Sequence, residues 1–354
     1  MDEPKARKLV TLRQVREIKI IEGADFLELA YVDGWQCVVK KGEFKSGDLA
    51  IYAEVDSFLP MEPRYEFLRK SSYRKMGEKE GFRLKTMKLR KQLSQGLLLP
   101  LTEFPEIARE AKVLGDDVTE LLNVVKWEPP IPACLAGNAK GSFPGFVMKT
   151  DENRIQNLPE YFEQYKDVFF EVSIKLDGTS ATYYSRDGVF GACSRNLELL
   201  ESDTNTYWRI AKEYHLPERL TALNRNIALQ GEIIGEGVNS NNEKLKGQHF
   251  RLFNIFDIDK GRLLSGLERL DLMLQLNSVT GQPEIKSVPV LGVLQALKEH
   301  PTMEALLAYA EGPSMNPQAQ REGLVFKSDL VDGRIVSFKV LSNAYLLKEK
   351  DSIS

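Results

Sequence analysis

The run Glu171-Val-Ser-Ile-Lys-Leu-Asp-Gly-Thr-Ser180 sets Lys175, Asp177 and Gly178 between two apolar, strand-like stretches. Strand lysines ordinarily point to water, yet this one has Phe169, Phe170, Val172, Ile174, Leu176 and Ala181 as sequence neighbours. A lysine that loses ammonium hydration has a lowered pKa, and its neutral amine can attack an electrophile. Asp177, two residues on, is expected on the same strand face, where a carboxylate can ligand a metal or orient the amine. Gly178 gives the tight backbone that a nearby phosphate needs. A K-x-D-G run is common by itself; the segments downstream give this one its weight.

Four such segments follow in order. Cys193-Ser-Arg-Asn196 offers Arg195, whose planar fork suits a phosphate. Leu229-Gln-Gly-Glu-Ile-Ile-Gly235 carries Glu232 inside an apolar strand, where a carboxylate is costly unless it faces a pocket and binds a ribose hydroxyl or a metal. In Phe250-Arg-Leu-Phe-Asn-Ile-Phe-Asp257, strand spacing puts Asn254, Phe256 and Ile258 on one face, and a phenylalanine there can stack on a purine. Arg321-Glu-Gly-Leu-Val-Phe-Lys327 and Val336-Ser-Phe-Lys339 place Glu322, Lys327 and Lys339 around short apolar strands. Lysines that neutralise an α-phosphate, carboxylates that hold a divalent ion and an aromatic under the base are what nucleotidyl transfer requires.

These groups need rigid elements. The 354 residues suffice for two domains, and 42% apolar with 28% charged residues is ordinary for a globular protein. Three scattered cysteines (Cys37, Cys134, Cys193) argue against a disulfide scaffold and for a reducing compartment. The three histidines lack metal-ligand spacing, the first residues lack an apolar signal region, and no apolar run is of membrane-spanning length. A cytoplasmic or nuclear protein without membrane contact is expected.

Residues 1–125 read as short strands: Phe26–Val32, Trp35–Lys40, Leu49–Val55 and Leu97–Leu101, punctuated by glycine turns, as in a small β-barrel. Residues 62–91 hold eleven Lys/Arg against four Glu, a local +7 in a chain of net −3, with Tyr65, Phe67, Tyr73 and Phe82 interleaved. Such a stretch is either a solvated, partly helical insertion or a surface that tracks phosphates and stacks bases; Lys85, Lys88 and Arg90 are the candidate nucleic-acid contacts. Proline- and glycine-rich residues 126–145 read as a linker. Residues 146–354 mix strands with helices near 204–214, 265–275, 291–299 and 302–310. Without regular βαβ alternation this implies antiparallel sheets with helices outside, an α+β domain.

The ordered series K-x-D-G, S-R-N, G-E-I-I-G, F-D-I, E-G-L-V-F-K and S-F-K resembles the covalent nucleotidyltransferases, which comprise ATP-dependent DNA and RNA ligases and capping enzymes. Lys175-Leu-Asp-Gly-Thr-Ser180 is similar to the RNA ligases, since the others usually carry arginine two positions after the glycine. Gly34–Asp48 and Glu54–Pro60 resemble the OB module of the fifth RNA ligase family, which precedes the nucleotidyltransferase. The resemblance implies an OB-like barrel over 1–125 and, over 146–354, an ATP-grasp-like nucleotidyltransferase domain of antiparallel sheets with flanking helices.

It also implies roles. Lys175 would form lysyl–AMP with ATP and release pyrophosphate. AMP would pass to a 5′-phosphate, and a 3′-OH would then seal the strand and expel AMP. Arg195 would contact a phosphate or the ribose, and Glu232 the ribose or the metal's waters. Phe256 would stack on adenine, and Lys327 and Lys339 would contact the α-phosphate. Asp177, Glu232 and Glu322 would serve Mg²⁺ or Mn²⁺. The implied partner of a monomeric enzyme is a nicked duplex with RNA on the 3′-OH side. A DNA ligase, a capping guanylyltransferase and a non-catalytic nucleic-acid-binding protein on the same scaffold are the alternatives. Two features depart from the common pattern: Ser337 stands where many relatives have the first lysine of K-x-K, and Ser173 and Ile174 stand where many have a glutamate.

Overall fold

Short alternating segments closed by glycine turns make the first part of the chain antiparallel throughout. The computed structural model describes residues 7–110, 113–131, 135, 137–279 and 281–348. It divides into two compact units, the first Met1–Pro130 together with Leu346–Ser354 and the second Ile131–Tyr345.

The first unit holds β1 (Val10–Gln14), β2 (Glu17–Ile20), β3 (Leu27–Val32), β4 (Trp35–Lys40), β5 (Leu49–Ala53), β6 (Ser57–Pro60), β7 (Tyr73–Met76), β8 (Lys79–Arg83), β9 (Thr86–Leu89), β10 (Gln92–Gln95), β11 (Leu97–Pro100) and β12 (Val125–Lys126). They pair in the orders β1-β5-β11, β2-β3-β4, β9-β10 and β12-β6-β8-β7. Asp33 (φ 45°) and Gly34 (φ 83°) form the two-residue turn of the β3–β4 hairpin, as the Asp-Gly pair predicts. Inward residues such as Trp35, Val39, Tyr52 and Leu98 fill the core.

The basic stretch is partly helical and partly strand, with the 3-10 turn Pro63–Leu68 and the single helical turn Arg69–Ser72 ahead of β7, β8 and β9. Four of its cations are neutralised in place: Arg64 by Glu62 and Glu106, Arg69 by Glu66, Lys75 by Glu80 and Arg83 by Asp56. Lys85, Lys88 and Arg90 make no ion pair among the described residues. Arg90 and Lys91, at φ 50° and 64°, form the tip of the β9–β10 hairpin.

Within the second unit are β13 (Ala139–Ser142), β14 (Phe170–Lys175), β15 (Thr179–Arg186), β16 (Val189–Cys193), β17 (Leu197–Leu199), β18 (Ile227–Gly235), β19 (Gln248–Asp257), β20 (Arg262–Leu263), β21 (Lys286–Ser287), β22 (Val290–Leu294), β23 (Gly323–Val331) and β24 (Arg334–Leu341). One sheet has the order β13-β17-β16-β15-β18-β19-β20, with β21 added parallel to β19; the other is β22-β14-β23-β24. Helices Thr206–Glu213, Leu216–Leu223 and Gly266–Leu276 cover one face of the larger sheet, burying Trp208, Leu220 and Leu272 against Tyr183, Leu229 and Phe250. The last of these helices starts at Ser265, whose hydroxyl and Glu268 form a reciprocal cap.

Two expectations change here. Residues expected as a linker include β13, which pairs with β17. The helix expected over 291–299 is split: Val290–Leu294 is edge strand β22 on β14, and only Ala296–Glu299 is helical. The valines Val290 and Val293 suit a pleated edge better than a helix, and the open side of β14 supplies the partner. Cys37 and Cys193 are free and buried, and burial pushes the Cys37 thiol up to about 12. Cys134 and residues 1–6 lie outside the described residues. No helix among the described residues is long and apolar enough to cross a membrane.

Candidate active site

Strand alternation selects the groups that face the space between the two sheets of the second unit. On β14, β23 and β24, Phe170, Val172, Leu324, Phe326, Phe338 and Val340 turn into the core. The alternate residues Ser173, Lys175, Val325, Lys327 and Lys339 line a cavity of about 320 Å³. Ser180 and Glu232 from β15 and β18 face them, and Asp151, Asp177, Arg195 and Asn239 add to the lining from turns and loops.

Lys175 is the last residue of β14, and the ladder sets it opposite Gly323 of β23. That register brings the preceding residue, Glu322, alongside: Lys175 Nζ lies 2.7 Å from Glu322 Oε2. Burial pulls the ammonium pKa down, but Glu322, then Glu232 and Asp177, outweigh it and hold it above the ordinary lysine value. This corrects the expectation of a lowered pKa. The apolar neighbours in sequence belong mostly to the other strand face, whereas the carboxylates that face Lys175 are distant in sequence.

Asp177 is also displaced from its expected place. β14 ends at Lys175, so Asp177 lies in the turn before β15 and not on the strand face. Its Oδ1 accepts from Asn239 Nδ2 at 2.7 Å and its Oδ2 from Ser240 Oγ at 3.1 Å. Gly178 is required there because a Cβ would stand 2.3 Å from the Ile233 carbonyl oxygen.

Glu232, opposite Ser180 on β15, has its carboxyl pushed up to about 8. Burial is the main cause; Lys175 opposes it, and Glu322 and Asp177 add to it. Arg195 sits at the rim, 62% exposed, with its Nη2 2.5 Å from Asp151 Oδ1.

The two remaining lysines occupy different surroundings. Lys339, opposite Val325, is lowered to about 7 by burial and then by the Lys175 and Arg154 charges. Lys327 is lowered to about 8, again chiefly by burial. Its Nζ donates to Asn254 Oδ1 at 2.5 Å and to the Phe253 carbonyl at 3.1 Å, and lies 5.1 Å from the Phe253 ring centroid. Behind it, Asn254 Nδ2 donates to Gln230 Oε1 and Gln230 Nε2 to the Met148 carbonyl.

Phe256 does not line this cavity. It packs at 5% exposure with Tyr184, Ala228 and Leu263. Phe253 lines it instead, because β19 carries a bulge: Gln230 pairs with Asn254 and Gly231 with Leu252, leaving Phe253 as the extra residue. Alternation alone could not reveal this. Asp151, Glu152 and Asn239 were likewise missed, since they come from loops without periodicity. Of the residues expected at the site, Lys175, Asp177, Arg195, Glu232, Glu322, Lys327 and Lys339 come together here. Lys85, Lys88 and Arg90 belong to the first unit and do not line the cavity.

Among the described residues no three His, Cys, Asp or Glu side chains converge closely enough to cage an ion. Asp177, Glu232 and Glu322 nevertheless all face the cavity. The carboxyl of Glu232 is held protonated partly by its acidic neighbours. Hard oxygen donors of this number fit a divalent ion that keeps most of its waters and takes few direct carboxylates.

An OB-fold domain profile matches residues 9–101, and an RNA ligase profile matches residues 168–341. No curated protein matches the sequence. Among solved structures, Naegleria gruberi RNA ligase with PPi is 50% identical, covers 98% of this chain and 100% of its own, and has a TM-score of 0.82. A glutamate-to-alanine mutant of that ligase with AMP and Mn is 50% identical with TM-score 0.83, covering 98% of this chain and 100% of its own. A lysine-to-alanine mutant with ATP and Mn is 50% identical with TM-score 0.82, covering 97% and 100%. Half of all residues shared over essentially the full length, on the same α+β architecture behind an OB fold, is kinship and not fold likeness alone: the chain belongs to the family of ATP-dependent RNA ligases.

Proposed function

We propose that this protein seals 3′-OH/5′-phosphate nicks in duplexes with RNA on the 3′-OH side, working as a monomer in the cytoplasm or nucleus. The observation that carries the reading is the Lys175–Glu322 pair in a cavity that Phe253 also lines. Lys175 passes a proton to Glu322, its partner at 2.7 Å, and its amine attacks the α-phosphorus of ATP. A P–N bond forms, the bond to the β-phosphate oxygen breaks, and pyrophosphate leaves. The 5′-phosphate of the nick then takes AMP from Lys175, and the 3′-OH displaces AMP to close the phosphodiester.

On this reading Lys339, whose field is dominated by Lys175, is the main α-phosphate contact, and a phosphate's charge would draw its proton back on. Lys327 stands at the base side, beside Phe253, which replaces Phe256 as the platform for adenine. Arg195 meets a phosphate or the ribose from the rim. Asp177, Glu232 and Glu322 would hold Mg²⁺ or Mn²⁺ or its waters; the ion would supply charge neutralisation at the transferring phosphoryl group. Residues 1–125 act as the nucleic-acid-binding module, with Lys85, Lys88 and Arg90 as contacts, 126–145 as the connection and 146–354 as the catalytic domain.

Self-labelling tests this. With α-labelled ATP and Mg²⁺ or Mn²⁺, a covalent label on a denaturing gel is expected for the wild type and not for Lys175→Ala. A label from GTP in place of ATP would point to capping chemistry. Sealing that survives Lys175→Ala with ATP present would overturn the mechanism, and preferential sealing of nicks with DNA on the 3′-OH side would make it a DNA ligase.

A further inference from the structure

The loop of residues 236–247 does two things at once. At one end it grips Asp177: Asn239 Nδ2 donates to Asp177 Oδ1 at 2.7 Å and to the Gly178 carbonyl at 2.8 Å, while Ser240 Oγ donates to Asp177 Oδ2 at 3.1 Å. At the other end it is tied to the segment that leads into Glu322. Asn242 Nδ2 donates to the Gln320 carbonyl at 3.0 Å, and Asn316 Nδ2 to the Asn242 carbonyl at 3.2 Å.

Glu243 makes the second tie strong. Its carboxylate is only 6% exposed and accepts from the Asn316 backbone N–H at 2.7 Å and from the Ser314 hydroxyl. No cation pairs with it among the described residues. Burying a carboxylate on neutral donors alone is expensive, and a loop kept merely to cover surface would not need it. The backbone is also held in an uncommon shape: Asn239 and Asn241 have φ 45° and 44°, left-handed values that asparagine tolerates better than most residues.

We propose that Asn239 and Ser240 are positioning residues that fix the Asp177 carboxylate for a divalent ion, with the Asn242–Glu243 anchor keeping them in register with Glu322. Each Asp177 oxygen receives one of these two side-chain donors, which leaves lone-pair capacity on both for an ion or its waters. Without the clasp, Asp177 is free to turn to the Lys175 ammonium two residues back, whose charge it already feels. At rest Glu322 pairs with Lys175, while the clasp keeps Asp177 turned for the ion. This rests on the reading of Asp177 as a ligand of the metal or of its waters.

The test is Mn²⁺ binding to the full-length protein with AMP present, read from the free-Mn²⁺ electron paramagnetic resonance signal, alongside self-adenylation at graded Mn²⁺. The variants are Asn239→Gly, which keeps the left-handed backbone and removes the amide, Ser240→Ala, Ser240→Thr and Asp177→Ala. Asn239→Gly and Ser240→Ala are each expected to raise the half-saturating Mn²⁺ concentration about tenfold. Ser240→Thr should restore it, and excess Mn²⁺ should recover most of the labelling rate without change in the KM for ATP. An unchanged Mn²⁺ midpoint in both clasp variants, while Asp177→Ala shifts it, would overturn the proposal. So would a rate loss that excess Mn²⁺ does not recover, since that marks a merely structural loop. If Asp177→Ala itself leaves the midpoint unmoved, the metal reading of Asp177 falls and the clasp proposal falls with it.

Discussion

Glu232 is the group whose behaviour most directly reports the state of the site. Its carboxyl stands at about 8 in the folded protein against an ordinary 4.5. Between those values the folded protein holds a proton that the unfolded chain lacks, so this group's contribution to stability is full below pH 4.5 and is lost as pH rises through about 8. A divalent ion at the site favours the carboxylate and expels that proton. Adding Mn²⁺ to the weakly buffered protein at pH 7 should therefore release protons, and Glu232→Gln should reduce the release. A wild-type protein that takes up Mn²⁺ with no proton appearing would contradict this assignment. Lys175 makes the complementary point. Its apolar sequence neighbours suggested a neutral amine, yet its contact with Glu322, 147 positions away, makes it an ammonium at rest. The type of residue was legible in the sequence; its protonation state depends on partners that only the fold supplies.

Among the elements, β19 decides how the nucleotide would be seated. Phe256 shares the face of Asn254 but lies two residues further along, packed with Tyr184 and Leu263, whereas the one extra residue before Asn254 brings Phe253 to the cavity, its carbonyl accepting from Lys327. The two phenylalanines should separate cleanly on mutation. Phe253→Ala is expected to raise the KM for ATP about tenfold, from the loss of base stacking worth roughly 1–3 kcal/mol, with a small change in stability. Phe256→Ala should instead destabilise the fold by about 3–5 kcal/mol and leave ATP affinity in the surviving folded enzyme nearly unaltered. The reverse pattern in thermal melts and labelling kinetics would restore Phe256 to the base. Period-2 alternation in the sequence suffices to place Lys175, Glu232, Lys327 and Lys339 on strands, because alternation is a property of the strand itself. A bulge, the strand end at Lys175 and the edge strand at Val290–Leu294 arise from partners in the sheet, and local pattern carries no mark of them.

At the scale of the whole molecule, charge is unevenly shared: a chain of net −3 carries +7 over residues 62–91. Internal pairing consumes Arg64, Arg69, Lys75 and Arg83 of the eleven; among the other seven, Lys85, Lys88 and Arg90 lie on and beside one hairpin. Reversing all three to Glu should leave self-adenylation intact and impair sealing at least tenfold. It should also flatten the salt dependence of duplex binding by about two to three counterions. Unimpaired sealing would reduce the segment to a solvated face. The hairpin's tip has a wider consequence. Arg90 and Lys91 both sit in left-handed backbone that costs an ordinary side chain about 1–2 kcal/mol each and that an Asn-Gly pair would occupy with ease. A search that rewards heat resistance alone would replace this tip first. If Arg90 contacts the strand as proposed, the sturdier protein so selected would hold it less well, so screens on this scaffold should score sealing and melting together.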